Sequence, residues 1–333
     1  MALRRLAIVG TGLIGASVGL AAKRVGVEQV SGYDADPEAL AVAAERGAVD
    51  VAAGSLVAAV EEAELAIVAT PVARLAEDVR VVLEAGAGTT VTDVGSTKGR
   101  LCAGVADRSR FIGGHPVCGS EARGPGHASA ELFEGAMWFL TPVTETEPGR
   151  YRLLHGLVAS LGAVPVAIDP EAHDRLLALT SHLPHALANV VLNHAGSLRI
   201  HGHEPLAAAG GSLRDMTRVA GANPRIWIDI FMDNAGELRS ALAEHRRRIE
   251  ELERALDSRD AGWLARWIGE AAGNRRKLLE EAFSDVGELQ HLSPERGGTL
   301  SVLVSGETEA RRAAELLEAQ GYSVIVSPAF EDE

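Results

Sequence analysis

Cysteine is scarce in this 333-residue sequence, which contains only Cys102 and Cys118, and no hydrophobic run is long. Two cysteines cannot build a disulfide framework, so we expect a reducing compartment. A membrane-spanning helix needs about 20 consecutive apolar residues, and no such run is present. The N-terminal segment also lacks a signal-peptide cleavage pattern. These absences together predict a cytoplasmic protein.

Positively charged residues are fewer than negatively charged ones. The sequence has 32 lysines and arginines and 46 aspartates and glutamates, which gives a net charge of −14. This excess of negative charge disfavours nonspecific binding to nucleic acid or to an anionic membrane surface. An anionic substrate would need a local cluster of arginines to overcome it. The 47% of hydrophobic and 23% of charged residues are typical of a globular protein and exclude a disordered chain.

The chain is long enough for several domains, and its pattern changes twice along its length. Short apolar runs first alternate with helix-length amphipathic segments, which predicts a Rossmann-type, doubly wound α/β sheet over residues 1–170. Helical periodicity then replaces the strand pattern and predicts an all-α domain over residues 171–292. Alternating apolar residues around a helical stretch predict a short C-terminal βαβ unit over residues 297–330.

One predicted helix of the all-α domain carries a heptad-like apolar seam. Its positions recur every three or four residues, at Leu238, Leu242, His245, Ile249, Leu252 and Leu256. Such a seam forms either the core of a bundle within one chain or the contact between two helices of a symmetric dimer. The spacing leaves both interpretations open.

The segment Gly10-Thr11-Gly12-Leu13-Ile14-Gly15 follows the first predicted strand and opens a helix. In this context the three glycines permit a tight turn, close approach of a pyrophosphate and close helix–strand packing. The phosphates would lie against the N-terminus of the helix. Asp34 ends the second strand, where a carboxylate binds ribose hydroxyls and repels a 2′-phosphate; the alternative for Asp34 is a simple turn residue. We predict NAD rather than NADP, bound by Gly10, Gly12, Leu13, Ile14, Gly15 and Asp34.

Further polar residues follow later strands, at the edge of the sheet where ligands bind. Thr70 and Pro71 follow one strand, and Asp93 and Ser96 end or follow the next. We predict that these four residues contact the cofactor, with ordinary loop chemistry as the alternative. Lys98 attracts interest because the chain has only three lysines.

His115 lies two glycines past the end of another predicted strand and is followed by a proline. A histidine at this edge suits proton abstraction beside a nicotinamide, but it also suits the capping of a turn. In the helical domain, Ser181 and His185 are four residues apart and share a helix face. The segment lacks a His-Glu-x-x-His pattern or a nearby cysteine pair, so we expect no metal site.

The segment from Gly210 to Arg218 predicts a glycine turn followed by a helix with Ser212 as its N-cap and Asp215 in its first turn. Arg218 has two interpretations. It either pairs with Asp215 within the helix or binds a substrate carboxylate, which a guanidinium recognises through two hydrogen bonds.

Taken together, these motifs resemble those of the prephenate/arogenate dehydrogenases of tyrosine biosynthesis. The resemblance covers roughly residues 5–285 and is carried by Gly10-x-Gly12-x-x-Gly15, Asp93-x-Gly95-Ser96-x-Lys98, Gly114-His115-Pro116-x-x-Gly119-Ser120-Glu121, Ser181-His182-Leu183-Pro184-His185 and Asp215-Met216-Thr217-Arg218. The order and spacing of these segments are far more specific than any one of them.

The resemblance implies that His115 is the catalytic histidine that handles the ring hydroxyl, with Ser96 beside it, and that His185 contacts the substrate from the helical domain. The substrate-binding group that it implies comprises Ser120, Glu121, Ser181, Gly211, Asp215 and Arg218. Within that group Arg218 would bind a carboxylate, and Glu121 would gate the pocket. A homodimer joined through the helical domain is also implied.

The reaction implied is the NAD-dependent oxidative decarboxylation of a small anionic substrate, prephenate to 4-hydroxyphenylpyruvate or arogenate to tyrosine, and the sequence leaves the choice open. One alternative is a β-hydroxyacid dehydrogenase. Those enzymes use a lysine on the first helix after the Rossmann domain, whereas residues 170–200 contain no lysine. The other alternative is a non-catalytic NAD-binding sensor, which would bind the cofactor without turnover.

Two departures from the family pattern stand out. Cys118 occupies a place that alanine usually holds, which predicts sensitivity to oxidation without a change in chemistry. The C-terminal unit resembles only half of the regulatory module that some members carry. We therefore expect a structural or dimer-supporting appendage there rather than a tyrosine receptor.

Overall fold

The computed structural model describes residues 3–118, 122–284 and 302–303. The strands of this part of the chain are β1 (Arg5–Val9), β2 (Gln29–Tyr33), β3 (Val51–Ala52), β4 (Leu65–Val68), β5 (Thr90–Asp93), β6 (Phe111–Pro116), β7 (Met137–Thr141), β8 (Val164–Ile168) and β9 (Val302–Leu303). Its α-helices are α1 (Leu13–Arg24), α2 (Pro37–Glu45), α3 (Leu56–Val60), α4 (Val72–Ala85), α5 (Gly99–Gly104), α6 (Pro148–Ser160), α7 (Pro170–Leu177), α8 (Leu183–Ser197), α9 (Gly211–Thr217), α10 (Pro224–Asp233), α11 (Ala235–Asp257) and α12 (Ala261–Ser284).

The strands form one sheet in the order β3-β2-β1-β4-β5-β6-β7-β8-β9. Neighbouring strands are parallel, except that β6 and β7 run antiparallel. The strand order reverses between β1 and β4, and ligands of open α/β sheets bind in the crevice at such a switch point. The predicted doubly wound sheet followed by a helical domain is confirmed.

Both faces of this sheet are buried, which is why the central strands β1 and β4 contain uninterrupted apolar runs. Along β1, Leu6 and Ile8 belong to one core cluster, and Ala7 and Val9 belong to the cluster on the opposite face. The first cluster includes residues of α1 and α6, and the second includes residues of α4. Alternate side chains of a single strand therefore anchor helices on both sides of the sheet.

Two features of the sheet differ from the prediction. β6 extends to Pro116, so His115 lies inside the strand rather than two glycines beyond its end. The extension is stabilised by antiparallel pairing, in which His115 lies opposite Phe139 of β7. The short strand β3 was not predicted, because Val51 and Ala52 form only a two-residue pair with β2.

The helical part of the chain begins at α7, whose N-terminus is capped by the carboxylate of Asp169. A π-helical turn, Ala178–His182, joins α7 to α8. Pro184 follows this turn inside a continuous helical run from α7 to α8, and it has no N–H to donate to the preceding turn.

The predicted C-terminal unit lies outside the described residues except for Val302 and Leu303. These two residues form β9, which pairs in parallel with β8. The first strand of the unit thus extends the large sheet instead of forming a separate layer. Within the described residues, no helix has the length and apolar character needed to cross a membrane.

Candidate active site

The loop between β1 and α1 has the backbone geometry of a dinucleotide cradle. Gly10 has a φ of +94°, and a Cβ there would lie 2.6 Å from the carbonyl oxygen of Ala69. A Cβ on Gly15 would collide with the carbonyl oxygen of Gly10, whereas a Cβ on Gly12 would meet no atom within 4 Å. The first and third glycines are thus required by packing, and the second leaves open space before the first turn of α1, formed by Leu13 and Ile14. This arrangement fits the pyrophosphate of NAD.

Asp34 is held at the entrance to this cradle by the loop itself. Its Oδ2 accepts hydrogen bonds from the backbone N–H of Thr11 at 2.6 Å and from the Thr11 hydroxyl at 3.1 Å. Its Oδ1 accepts from the N–H of Asp36 at 2.9 Å. A carboxylate has about four lone-pair positions, so Asp34 retains acceptor capacity for ribose hydroxyls.

Thr70 and Pro71 close the other side of the Gly10 turn. A Cβ on Gly10 would lie 3.0 Å from the backbone nitrogen of Thr70. Among the described residues, the Thr70 hydroxyl is a buried group without a hydrogen-bond partner, which suits a contact to a ligand. Pro71 is the residue that precedes the first turn of α4.

Asp93 has a carboxylate that is bonded within the protein, and its contact with the cofactor stays a prediction. Its carboxylate is fully buried, where it accepts hydrogen bonds from the backbone N–H of Gly95 at 2.8 Å and of Gly114 at 3.1 Å and forms an ion pair with Lys98. The Lys98 side chain is also fully buried. This ion pair anchors the loop between β5 and α5, where Ser96 is half-buried.

His115 is buried at the carboxyl end of β6, on the same edge of the sheet as the Gly10 turn. Its Nδ1 lies 2.9 Å from Nε2 of His173, and Nδ1 of His173 lies 2.8 Å from Oδ1 of Asp174. Burial holds the pKa of His115 well below its ordinary value of 6.5, and the charges of His173, Lys98 and His182 lower it further. His115 is therefore neutral and able to accept a proton near pH 7.

Asp174 joins three segments of the chain. Its carboxylate accepts hydrogen bonds from the backbone N–H groups of Lys98 at 2.7 Å and Gly99 at 2.8 Å. Its carbonyl oxygen accepts from Nδ2 of Asn234 at 2.7 Å, and this Nδ2 lies 3.1 Å from Nδ1 of His182. None of these contacts is predictable from the spacing of residues in the sequence. The His173-Asp174 pair is visible in the sequence, but its partners are distant along the chain.

The second predicted histidine, His185, lies in a different cluster. Its ring stacks on that of Trp227, with centroids 3.3 Å apart, and its Nδ1 donates to the carbonyl oxygen of Ser181 at 3.2 Å. His185 and Trp227 line a cavity of about 190 Å³ with walls from α8 and α10. Burial lowers the pKa of His185, and the charge of Arg218 also lowers it. Trp227 was missed because a tryptophan at helical spacing resembles any core residue.

Arg218 lies at the start of a 3₁₀ turn after α9. Asp215 and Gly211 are exposed on α9. Ser212 is not the N-cap of this helix; Gly210 holds that position, and no side chain caps it. The predicted substrate contacts Ser120 and Glu121 lie outside the described residues. Among those described, no group of three or more histidine, cysteine or acidic side chains could hold a metal ion.

Comparison with known proteins shows similarity along most of the chain. The model of the prephenate dehydrogenase nucleotide-binding domain matches residues 18–167, and that of the prephenate dehydrogenase dimerization domain matches residues 169–270. The prephenate dehydrogenase of Bacillus subtilis is 33% identical over 288 residues, which span 81% of this chain and 75% of that protein.

Solved structures extend the similarity to the fold. Prephenate dehydrogenase from Aquifex aeolicus, crystallised with hydroxyphenyl propionate and NAD⁺, has a TM-score of 0.79 and 28% identity, covering 84% of this chain and 99% of that one. Synechocystis arogenate dehydrogenase has a TM-score of 0.73 and 27% identity, covering 82% of this chain and 99% of that one.

Proposed function

Because the chain belongs to the prephenate dehydrogenase family, we propose that it catalyses the NAD-dependent oxidative decarboxylation of prephenate, arogenate or both, in tyrosine biosynthesis. The observation that carries this proposal is the buried, neutral His115 on the sheet edge that also bears the Gly10 turn. A proton acceptor beside a dinucleotide cradle suits the oxidation of a carbinol.

When bound, NAD⁺ supplies the acceptor for the hydride that leaves the carbinol carbon. His115 accepts the proton of the hydroxyl group as the C–H bond breaks. Loss of CO₂ from the same ring then restores aromaticity. His115 is buried against His173 and lies opposite Phe139 of β7, which limits the access of bulk water to the base.

We assign substrate binding to the cavity of the helical domain. His185 and Trp227 offer a flat aromatic wall beside the positive charge of Arg218. A ring acid fits such a wall, and a carboxylate fits the guanidinium. Ser96, Ser120, Glu121, Ser181, Gly211 and Asp215 remain predicted contacts.

The deciding experiment is NADH formation by the purified protein with prephenate and arogenate measured side by side. Turnover of either substrate supports the proposal, and the ratio of the two kcat/KM values assigns the preference. Binding of NAD⁺ without turnover of either would favour a sensor, and turnover of 3-hydroxy acids instead would favour a β-hydroxyacid dehydrogenase.

We expect Arg218→Ala to raise KM with little change in kcat. The substitution removes a charged hydrogen-bonding partner worth about 1.5–3 kcal/mol, which corresponds to roughly a 10- to 150-fold increase. Arg199→Ala is the matched control, because Arg199 belongs to the same domain but pairs with Glu204 on the surface. An unchanged KM in a folded Arg218→Ala protein would assign Arg218 to a structural pair instead.

We expect strong preference for NAD⁺ over NADP⁺, and Asp34→Ser should narrow the difference. The carboxylate faces the position of the ribose, where it repels a 2′-phosphate. Glu38→Gln, on the neighbouring helix α2, removes one negative charge in the same region and should leave the ratio unchanged. Equal turnover of both cofactors by the wild-type protein would contradict the assignment.

A homodimer joined through the helical domain is supported by the apolar residues that one chain leaves exposed. Ile249 and Leu256 of the predicted seam are 44% and 56% exposed, although Leu238 at its start is buried. We propose that a second copy covers them. Ile249→Glu and Leu256→Glu should weaken the dimer in sedimentation velocity, whereas Val57→Glu, at an exposed site on α3, should not. A monomeric wild type would contradict this proposal.

The cytoplasm remains our proposed location. Cys102 and Cys118 are both free thiols. Burial raises the pKa of each to about 11, so neither is a reactive thiolate near pH 7. This does not support the predicted sensitivity of Cys118 to oxidation.

A further inference from the structure

Three buried side chains form a hydrogen-bonded row that leads away from the proposed base. His115 Nδ1 contacts His173 Nε2 at 2.9 Å, and His173 Nδ1 contacts Asp174 Oδ1 at 2.8 Å. The two imidazole rings meet edge to face, with centroids 5.1 Å apart. All three residues are buried, so water cannot substitute for either hydrogen bond.

The protons in this row can be assigned from its far end. Among the neighbours of Asp174, the backbone N–H groups of Lys98 and Gly99 donate to its carboxylate, which favours the ionised form. Hydrogen bonds to these donors and to His173 keep the pKa of Asp174 below its ordinary value, although burial opposes this. An ionised carboxylate only accepts hydrogen bonds, so Nδ1 of His173 must carry the proton.

The protonation of His173 fixes the tautomer of His115. Burial lowers the pKa of His173, so its ring is neutral, and with Nδ1 protonated its Nε2 is an acceptor. The 2.9 Å contact therefore requires Nδ1–H on His115 as the donor. A neutral His115 with a proton on Nδ1 has its lone pair on Nε2.

We propose that His173 and Asp174 are positioning residues that hold His115 in the tautomer with an unprotonated Nε2. This inference rests on the proposed function, in which His115 accepts the substrate proton. When Nε2 takes that proton, the O–H bond breaks, an N–H bond forms and His115 becomes a cation. The bond from its Nδ1–H to His173, backed by the negative Asp174, stabilises this charge where it develops.

Asp174 also anchors the β5–α5 loop, so a loss of activity after its substitution would not distinguish tautomer control from loop displacement. His173 is the better target, because within the described residues its ring nitrogens bond only to His115 and Asp174. His173→Phe removes both hydrogen bonds while keeping a ring in the same space. His173→Gln places an amide oxygen where Nε2 stood, so that it can still accept from His115 Nδ1.

The first test is ¹⁵N NMR of the histidine side chains in the full-length protein without cofactor or substrate. We expect His115, identified by the signal lost in His115→Asn, to be protonated on Nδ1 in the wild type and in His173→Gln. His173→Phe should populate both tautomers. A wild-type His115 protonated on Nε2 would overturn the proposal, whether or not the protein turns over prephenate.

The second test is steady-state kinetics with the substrate that the wild-type protein turns over. We expect kcat to fall by about 10²–10⁴-fold in His173→Phe, the range for loss of general-base catalysis, with KM for NAD⁺ unchanged. His173→Gln should recover part of that loss, which a merely structural role would not predict. His155→Phe, at a histidine near Tyr151 on α6, is the matched control and should keep wild-type kcat.

The outcomes separate the two proposals. Wild-type kcat in His173→Phe, or equal kcat in the Phe and Gln variants, overturns the positioning role and leaves the proposed function intact. Absence of turnover by the wild type overturns the proposed function, whereas the NMR assignment still decides how His115 is protonated.

Discussion

His115→Asn should lower kcat by about 10²–10⁴-fold while leaving NAD⁺ affinity nearly unchanged. The asparagine amide can still form a hydrogen bond, but it cannot accept a proton. The glycine cradle that binds the cofactor involves Gly10, Gly12 and Gly15 and makes no use of the imidazole. Stopped-flow or steady-state NADH formation measures the first effect, and fluorescence titration with NAD⁺ measures the second.

The pH profile gives an independent measure of the same group. The base acts in its neutral form, so kcat/KM should fall as the pH drops through the pKa of His115. Burial and the charges of His173, Lys98 and His182 lower that pKa, so this acidic limb should lie below pH 6.5, the ordinary value. The limb should disappear from the residual activity of His115→Asn.

The matched control for this prediction is His155→Asn, which changes a half-buried histidine outside the proposed site. It should retain both kcat and the acidic limb. If His115→Asn instead keeps a near-normal kcat with the same limb, the base lies elsewhere. His185 is then the candidate, because burial lowers its pKa and it lies in the cavity beside Trp227.

Lys98→Met should destabilise the folded protein by about 3–5 kcal/mol. The Lys98 ammonium and the Asp93 carboxylate are both fully buried, and methionine leaves that carboxylate without its counter-charge. The N–H groups of Gly95 and Gly114 still donate to it, but they do not neutralise it. Urea unfolding followed by circular dichroism measures the change in free energy.

The double variant Asp93→Asn/Lys98→Met provides the control. In this variant the amide oxygen of the introduced asparagine can still accept a hydrogen bond from a backbone N–H, and no buried charge remains uncompensated. We therefore expect the double variant to be more stable than Lys98→Met alone. The acidic limb should also move to higher pH in Lys98→Met, because a charge that lowers the pKa of His115 is removed. Wild-type stability in Lys98→Met would show that the pair is not the anchor of the β5–α5 loop.

The sequence by itself determined the alternation of longer strands and helices in the nucleotide-binding part, without the short β3, and the location of the cradle. Both depend on local properties. Strands buried on two faces need continuous apolar runs, and Gly10 needs a positive φ that other residues rarely adopt. Such requirements leave a mark on neighbouring residues, so a short window of sequence is sufficient to find them.

The direction of single side chains could not be obtained in this way. Asp93 ends a strand at the ligand-binding edge, which favours a cofactor contact, but its carboxylate turns inward to Lys98 and Gly114. The Trp227 ring and the His185 ring come from different helices, and their stacking depends on how α10 packs. Burial and packing angle decide these contacts, and neither is encoded by spacing.

Only the tertiary structure joined His115 to His173 and Asp174. The two histidines are 58 residues apart, and Lys98 is 76 residues from the carboxylate that receives its N–H. The sequence contains every one of these residues, but it does not show which nitrogen faces which oxygen. These hydrogen-bond partners depend on how α7 packs against the β5–α5 loop. A buried imidazole then takes the tautomer that its fixed neighbours impose.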